Sequence, residues 1–154
     1  MRRFISFITI ILLALGCSGT LRAQGMKDPT HWAYEAKKLD ANYYQLDFIL
    51  NLDEGWHIWA IDVGGDGLQV VPTFTFTRNK AAQLDGTIGE QGEKITTEME
   101  GVEGKVNYFS HKVVYSQKVK AAAGTSIKGT HQYQVCNDNM CLSPKQVPFS
   151  FQLP

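Results

Sequence analysis

The chain has 154 residues, 44% of them hydrophobic, with 15 basic and 15 acidic side chains and three cysteines. That composition suits one globular domain with a single core. Balanced charge, with no basic patch interleaved with aromatic residues, argues against a nucleic-acid partner.

The N-terminus sets the compartment. Met1-Arg2-Arg3 followed by an apolar run from Phe4 to Gly16 reads as a secretory signal, too short for a membrane span. Two cleavage points fit: after Ala23, or before Cys17 in Leu13-Ala14-Leu15-Gly16-Cys17, a lipobox-like run with Ala14 and Leu15 in the reverse of the preferred order. Cys17 is then either discarded or lipidated, and lipidation is the one route by which the chain would be held at a membrane. Either way the mature chain keeps one cysteine pair, Cys136 and Cys141, in a compartment where disulfides persist. Cleavage after Ala23 leaves 131 residues and a formal charge of −3, since Arg2, Arg3 and Arg22 depart with no acid. Residues 24–31 are expected to be a flexible lead-in to a domain spanning 32–154.

Loose alternation from Trp32 to Leu39 precedes a turn at Asp40-Ala41-Asn42. Tyr44, Leu46, Phe48, Leu50 and Leu52 then share one side of a period-two pattern opposite Gln45, Asp47 and Asn51, the clearest strand in the chain. Asp53-Glu54-Gly55 turns it into a second strand at Trp56-His57-Ile58-Trp59-Ala60. Gly64-Gly65-Asp66-Gly67 reads as a loop, because no Lys, Ser/Thr or helix start follows as a phosphate cradle requires. Thr73 to Thr77 alternates phenylalanine with threonine. Between Asn79 and Gly104 glycines recur, and short strands joined by mobile loops are expected. Regularity returns from Val106 to Lys120, where Val113, Tyr115 and Val119 oppose Lys112, Lys118 and Lys120. After a turn at 121–125, a strand from Ser126 to Val135 delivers the chain to Cys136. Val147, Phe149, Phe151 and Leu153 form a last strand, which Pro148 places at an edge. No stretch has a helical period, so the expected fold is all-β, an immunoglobulin-like antiparallel β-sandwich.

The chemistry concentrates in Tyr133-Gln-Val-Cys136-Asn-Asp-Asn-Met-Cys141-Leu-Ser-Pro144. As a staple, so short a ring is worth roughly 2 kcal/mol, the weak end of the range. As a reagent, its closeness lets one thiol resolve a mixed disulfide formed by the other. Spacing leaves both readings open. No second Cys/His cluster accompanies the pair, so no metal is expected, and no other cofactor. The histidines at 31, 57, 111 and 131 are scattered and read as ordinary strand or loop residues. Glu98 and Glu100 read as a solvated face, and no Ser/His/Asp nucleophile arrangement is visible. Asp138 disfavours a nearby thiolate and Lys145 favours one.

The cysteine segment, with Tyr108-Phe109, Val113 to Val119, Gly55-Trp56-His57-Ile58-Trp59 and Pro72 to Phe76, resembles the N-terminal periplasmic domain of DsbD, the thiol:disulfide interchange protein. The likeness covers nearly all of the mature chain. It implies an immunoglobulin-like domain that takes electrons from a membrane-embedded relay through a thioredoxin-like carrier and passes them to oxidised periplasmic proteins, a protein-disulfide reductase module. By position it implies Cys141 as the sulfur of the mixed disulfide and Cys136 as the resolver. It also implies a cap loop over the pair, within Thr97 to Lys105. The chain departs from the best-known members by having four residues between the cysteines rather than five. It also offers only Met99 or Val102 where their cap has an aromatic. Trp56, His57 and Trp59 are candidates for an aromatic wall beside the pair, with sandwich core as the alternative. Since the sequence stops at Leu153-Pro154 with no relay or thioredoxin-like domain, the expected electron donor is a separate polypeptide. The rival expectation is a non-catalytic β-sandwich binding or assembly module braced by a structural Cys136–Cys141 disulfide.

Overall fold

A computed structural model describes residues 27–67 and 69–154. The signal segment, Cys17 and residues 24–26 lie outside the described residues. Among the described residues nine strands run in chain order: β1 (Thr30–Asp40), β2 (Tyr43–Leu52), β3 (His57–Gly64), β4 (Thr73–Phe76), β5 (Ala82–Glu98), β6 (Lys105–Ala121), β7 (Ser126–Tyr133), β8 (Val135–Cys136) and β9 (Lys145–Gln152). They make two antiparallel sheets, one ordered β1-β2-β6-β3-β8 with β5 also on β6, the other β4-β7-β9. Packed face to face, they form the expected immunoglobulin-like sandwich.

The period-two pattern of β2 supplies the centre of the core. Tyr44, Leu46, Phe48 and Leu50 are all fully buried. Phe48 reaches the opposite sheet, its ring centroid 4.8 Å from Phe74 and from Phe149 and 5.0 Å from Phe151. Ladders of alternating apolar residues from both sheets therefore close on one another. On the outer face of β2, Asp47 is buried too, at 2% exposure. Ser116 Oγ (2.6 Å), Gln45 Nε2 (2.8 Å) and Lys37 Nζ (2.9 Å) donate to its carboxylate. Burial alone would raise this carboxyl's pKa, but those hydrogen bonds and the Lys37 charge hold it below its usual value.

Three expectations are corrected. Residues 79–104 are not short strands and mobile loops: β5 is one 17-residue strand paired along β6. Its glycines mark register shifts rather than breaks, between Asp85 and Gly89 and between Gly92 and Lys94. At Gly92 a Cβ would stand 2.7 Å from the Lys112 carbonyl, so glycine permits the close approach of β6. The lead-in is anchored before residue 31, because β1 begins at Thr30, Lys145 pairs with Asp28, and the Asp53 amide donates to the Pro29 carbonyl. Finally, the strand expected through Val135 divides at Gln134: β7 belongs to the small sheet and β8 to the large one.

The long strand β6 arranges the end of the sandwich that holds the cysteine pair. One of its edges is covered by β5, while the other pairs with β2 from Lys112 to Lys120 and then with β3 from Val106 to Ser110. His111, at φ 65°, sits at the handover. The left-handed residue lets one strand exchange neighbours, which makes room for β3 and, beyond it, β8.

Candidate redox site

Register brings the site together. His57 faces Cys136 across the β3–β8 pair, and Trp59 faces Tyr108 across β3–β6. Directly opposed residues and i, i+2 neighbours share a sheet face, so His57, Trp59, Tyr108 and Cys136 project to one side. Their rings interlock: His57 lies 4.8 Å from Tyr108 and 5.1 Å from Trp59, and Trp59 meets Tyr108 edge-on at 6.2 Å. Trp59, Val63, Val106 and Cys136 form a small buried cluster distinct from the main core, with Val71, Val102 and Tyr108 packed on it.

Cys136 and Cys141 form a disulfide, their Cα atoms 3.9 Å apart. The two cysteines sit in different environments: Cys136 is 3% exposed, whereas Cys141 is an exposed residue. Asn137 organises the turn between them. Its amide donates to the Met140 carbonyl (2.8 Å), and its Oδ1 accepts from the amides of Asn139 and Met140 (both 2.9 Å). Outside the ring, the Leu142 amide donates to the Val135 carbonyl (2.9 Å) and Gln134 Nε2 to the Leu142 carbonyl (2.8 Å).

The expected cap segment is the β5–β6 turn at 99–104. Val102 packs on the Cys136 cluster, its amide donating to the Met99 carbonyl (3.1 Å), while Met99 itself is 37% exposed. The turn is seated on the glycine loop. The Gly65 amide donates to the Lys105 carbonyl (2.9 Å), and a Cβ on Gly65 would stand 2.8 Å from Val106 and 2.9 Å from Val102. Gly64 and Gly65, both at positive φ, therefore form a seat for the 99–104 turn that side chains larger than hydrogen would block.

Of the residues singled out from the sequence, Cys136, Cys141, His57, Trp59 and Val102 come together. Trp56 packs instead on the main core, and Met99 reaches the site through its backbone. Tyr108 was missed as a wall residue, although it stands in the segment carrying the family resemblance; the signal is its position across from Trp59. Two readings of charge also change. Lys145 is engaged by Asp28, which removes it as the balance to Asp138. His131, read as ordinary, is 1% exposed among Trp32, Phe74 and Tyr133, with Nε2 2.8 Å from the Tyr34 hydroxyl. Burial lowers the His57 pKa against a weaker upward pull from Asp138. Among the described residues no three His, Cys, Asp or Glu side chains converge as a metal site, and no helix is long and apolar enough to cross a membrane.

A comparison with curated proteins found no match. Among solved structures, the N-terminal periplasmic domain of ScsB from Proteus mirabilis superposes with a TM-score of 0.58 at 16% identity, over 82% of this chain and 47% of that one. This chain thus spans about half the length of that structure, and the likeness is one of fold. The reduced DsbD N-terminal domain of Neisseria meningitidis matches at TM-score 0.41 and 14% identity, over 79% of this chain and 84% of that one. The complex of the DsbD and PilB N-terminal domains from the same organism matches at 0.44 and 15%, over 77% and 80%. The family model for the N-terminal domain of the thiol:disulfide interchange protein DsbD matches residues 23–152, and with that span the chain belongs to the DsbD N-terminal domain family.

Proposed function

We propose that the domain is an exported, periplasmic thiol–disulfide exchange module. It takes electrons from a separate thioredoxin-like or membrane-embedded donor and passes them to oxidised partner proteins through Cys136 and Cys141. Family membership supports the chemistry. The observation that carries the assignment of roles is the unequal exposure of the two cysteines, Cys141 at the surface and Cys136 beneath Trp59, Tyr108 and Val102. An incoming thiolate has access to Cys141 alone. Its attack forms a bond to Cys141 Sγ, breaks the Cys136–Cys141 bond, and leaves the electron pair on Cys136; a second donor thiol releases the domain as a dithiol. In the forward direction, the Cys141 thiolate attacks a partner disulfide and expels one partner thiolate. Cys136 then attacks Cys141 Sγ, expelling the second, so that the partner is reduced and the domain reoxidised. Val102, rather than an aromatic ring, serves as the cap's contact with the pair.

The test is trapping in the native host. A Cys136→Ala variant should accumulate disulfide-linked partners through Cys141, and a Cys141→Ala variant should not. If Cys136→Ala captures nothing and the native disulfide resists a thioredoxin-like reductant, the ring is a brace and the exchange reading fails.

A further inference from the structure

The exchange reading leaves a proton unaccounted for. Cys136 must attack the mixed disulfide as a thiolate, yet its sulfur is buried among Trp59, Val63 and Val106. A thiol in apolar surroundings gives up its proton reluctantly. The side chain facing it in register is His57, whose Cβ on a directly opposed antiparallel position stands about 5 Å away. The Nε2 of that imidazole is buried and has no hydrogen-bond partner, an uncommon state for a polar atom within a protein. The ring is held by Tyr108 and Trp59, the same walls that enclose Cys136.

We propose that His57 is the proton acceptor of the resolving step, taking the proton of Cys136 as that sulfur closes on Cys141. This rests on the exchange reading above. The S–H proton of Cys136 passes to the imidazole, and the sulfur's electron pair forms the bond to Cys141 Sγ. The bond between Cys141 and the partner breaks, and the partner leaves as a thiolate that is protonated by the imidazolium or by water. The two cysteines are oxidised and the partner is reduced. The titratable groups facing His57 are Cys136 on β8, Tyr108 on β6 and Asp138 in the turn after β8. The acidic Asp138 stabilises the transient imidazolium. Burial keeps the resting ring uncharged near neutrality, with a lone pair free to accept.

Reduced full-length domain mixed with 5,5′-dithiobis(2-nitrobenzoate) separates the steps. Attack by Cys141 releases one thionitrobenzoate, and closure by Cys136 releases the second. His57→Gln and His57→Tyr, the latter keeping an aromatic wall, should slow the second release about 100-fold at pH 7 and leave the first within twofold. The wild-type second rate should stay nearly level from pH 6.5 to 8, whereas in both variants it should climb about tenfold per pH unit with the thiolate fraction. A second release that follows wild type in either variant, or equal slowing of both releases, overturns the role of His57. Absence of any first release from the wild-type domain would instead sink the exchange reading itself.

Discussion

The buried His131 makes the fold sensitive to acid, and the size of the effect can be worked out. Its ring is enclosed by Trp32 at 4.4 Å, Tyr133 at 5.4 Å and Phe74 at 5.9 Å, and burial pushes its pKa down from 6.5 to about 4. The folded protein therefore prefers the uncharged ring, while the unfolded chain binds a proton near pH 6.5. Stability from this group is fully present above pH 6.5 and is lost as pH falls toward 4. At about 1.36 kcal/mol per pH unit the loss reaches about 3 kcal/mol at pH 4, a large share of the 5–15 kcal/mol typical of a domain. Urea unfolding of the wild type and of His131→Gln at pH 7, 5.5, 4.5 and 4 measures it. Buried carboxylates such as Asp47 also weaken the fold on acidification, but they do so in both proteins and cancel in the difference. The wild type should lose about 3 kcal/mol more than the variant between pH 7 and 4. Parallel losses would refute the argument. Because His131 lies three residues before the strand changes sheets at Gln134, acid loosening of the core should reach the disulfide.

Two further perturbations probe the cap and the core. Gly65→Val would push a side chain into Val102 and Val106 at a residue with φ +57°, and should unseat the cap. Reduction of the disulfide by dithiothreitol should then quicken several-fold, and an unchanged rate would show that the cap does not shield the pair. Phe48→Ala removes the ring that bridges the sheets and should cost about 3–5 kcal/mol in urea unfolding; a loss below about 1 kcal/mol would mean that the inter-sheet contacts carry little stability.

The sandwich was legible where burial alternates. The inward set of β2, the phenylalanines of β4 and β9, and the phase of Val113, Tyr115 and Val119 all follow from period two. What escaped the pattern depends on neighbours distant in sequence. Glycines 86, 89 and 92 read as breaks because the pairing of β5 with β6 is not visible in the sequence; at Gly92 the close approach of the Lys112 carbonyl is what glycine permits, while Gly86 and Gly89 lie at a register shift in open space. The division at Gln134 leaves no mark in the alternation, since Tyr133 and Val135 are both buried although they serve different sheets. At the site, the cysteines and the ring of Trp59 stood out by residue type. Tyr108 joined them only through the β3–β6 register, and Trp56 dropped away because its neighbour in sequence, not Trp56 itself, points at Cys136. His131 shares the inward phase of Ile127, Tyr133 and Val135, so its side of the strand was legible, but its enclosure by Trp32, Phe74 and Tyr133 depends on residues distant in sequence.

The turn between the cysteines has a consequence for how such sites diversify. Its ends are clamped from outside by the Leu142–Val135 and Gln134–Leu142 hydrogen bonds, and its interior is organised by Asn137, through its side-chain oxygen and its backbone amide. Residues 137–140 thus form a cassette whose length and composition can vary while the sheet, the cap and the buried sulfur stay where they are. A change in the length of that segment would alter the geometry of the disulfide ring, while the bonds that fix its two ends lie outside it.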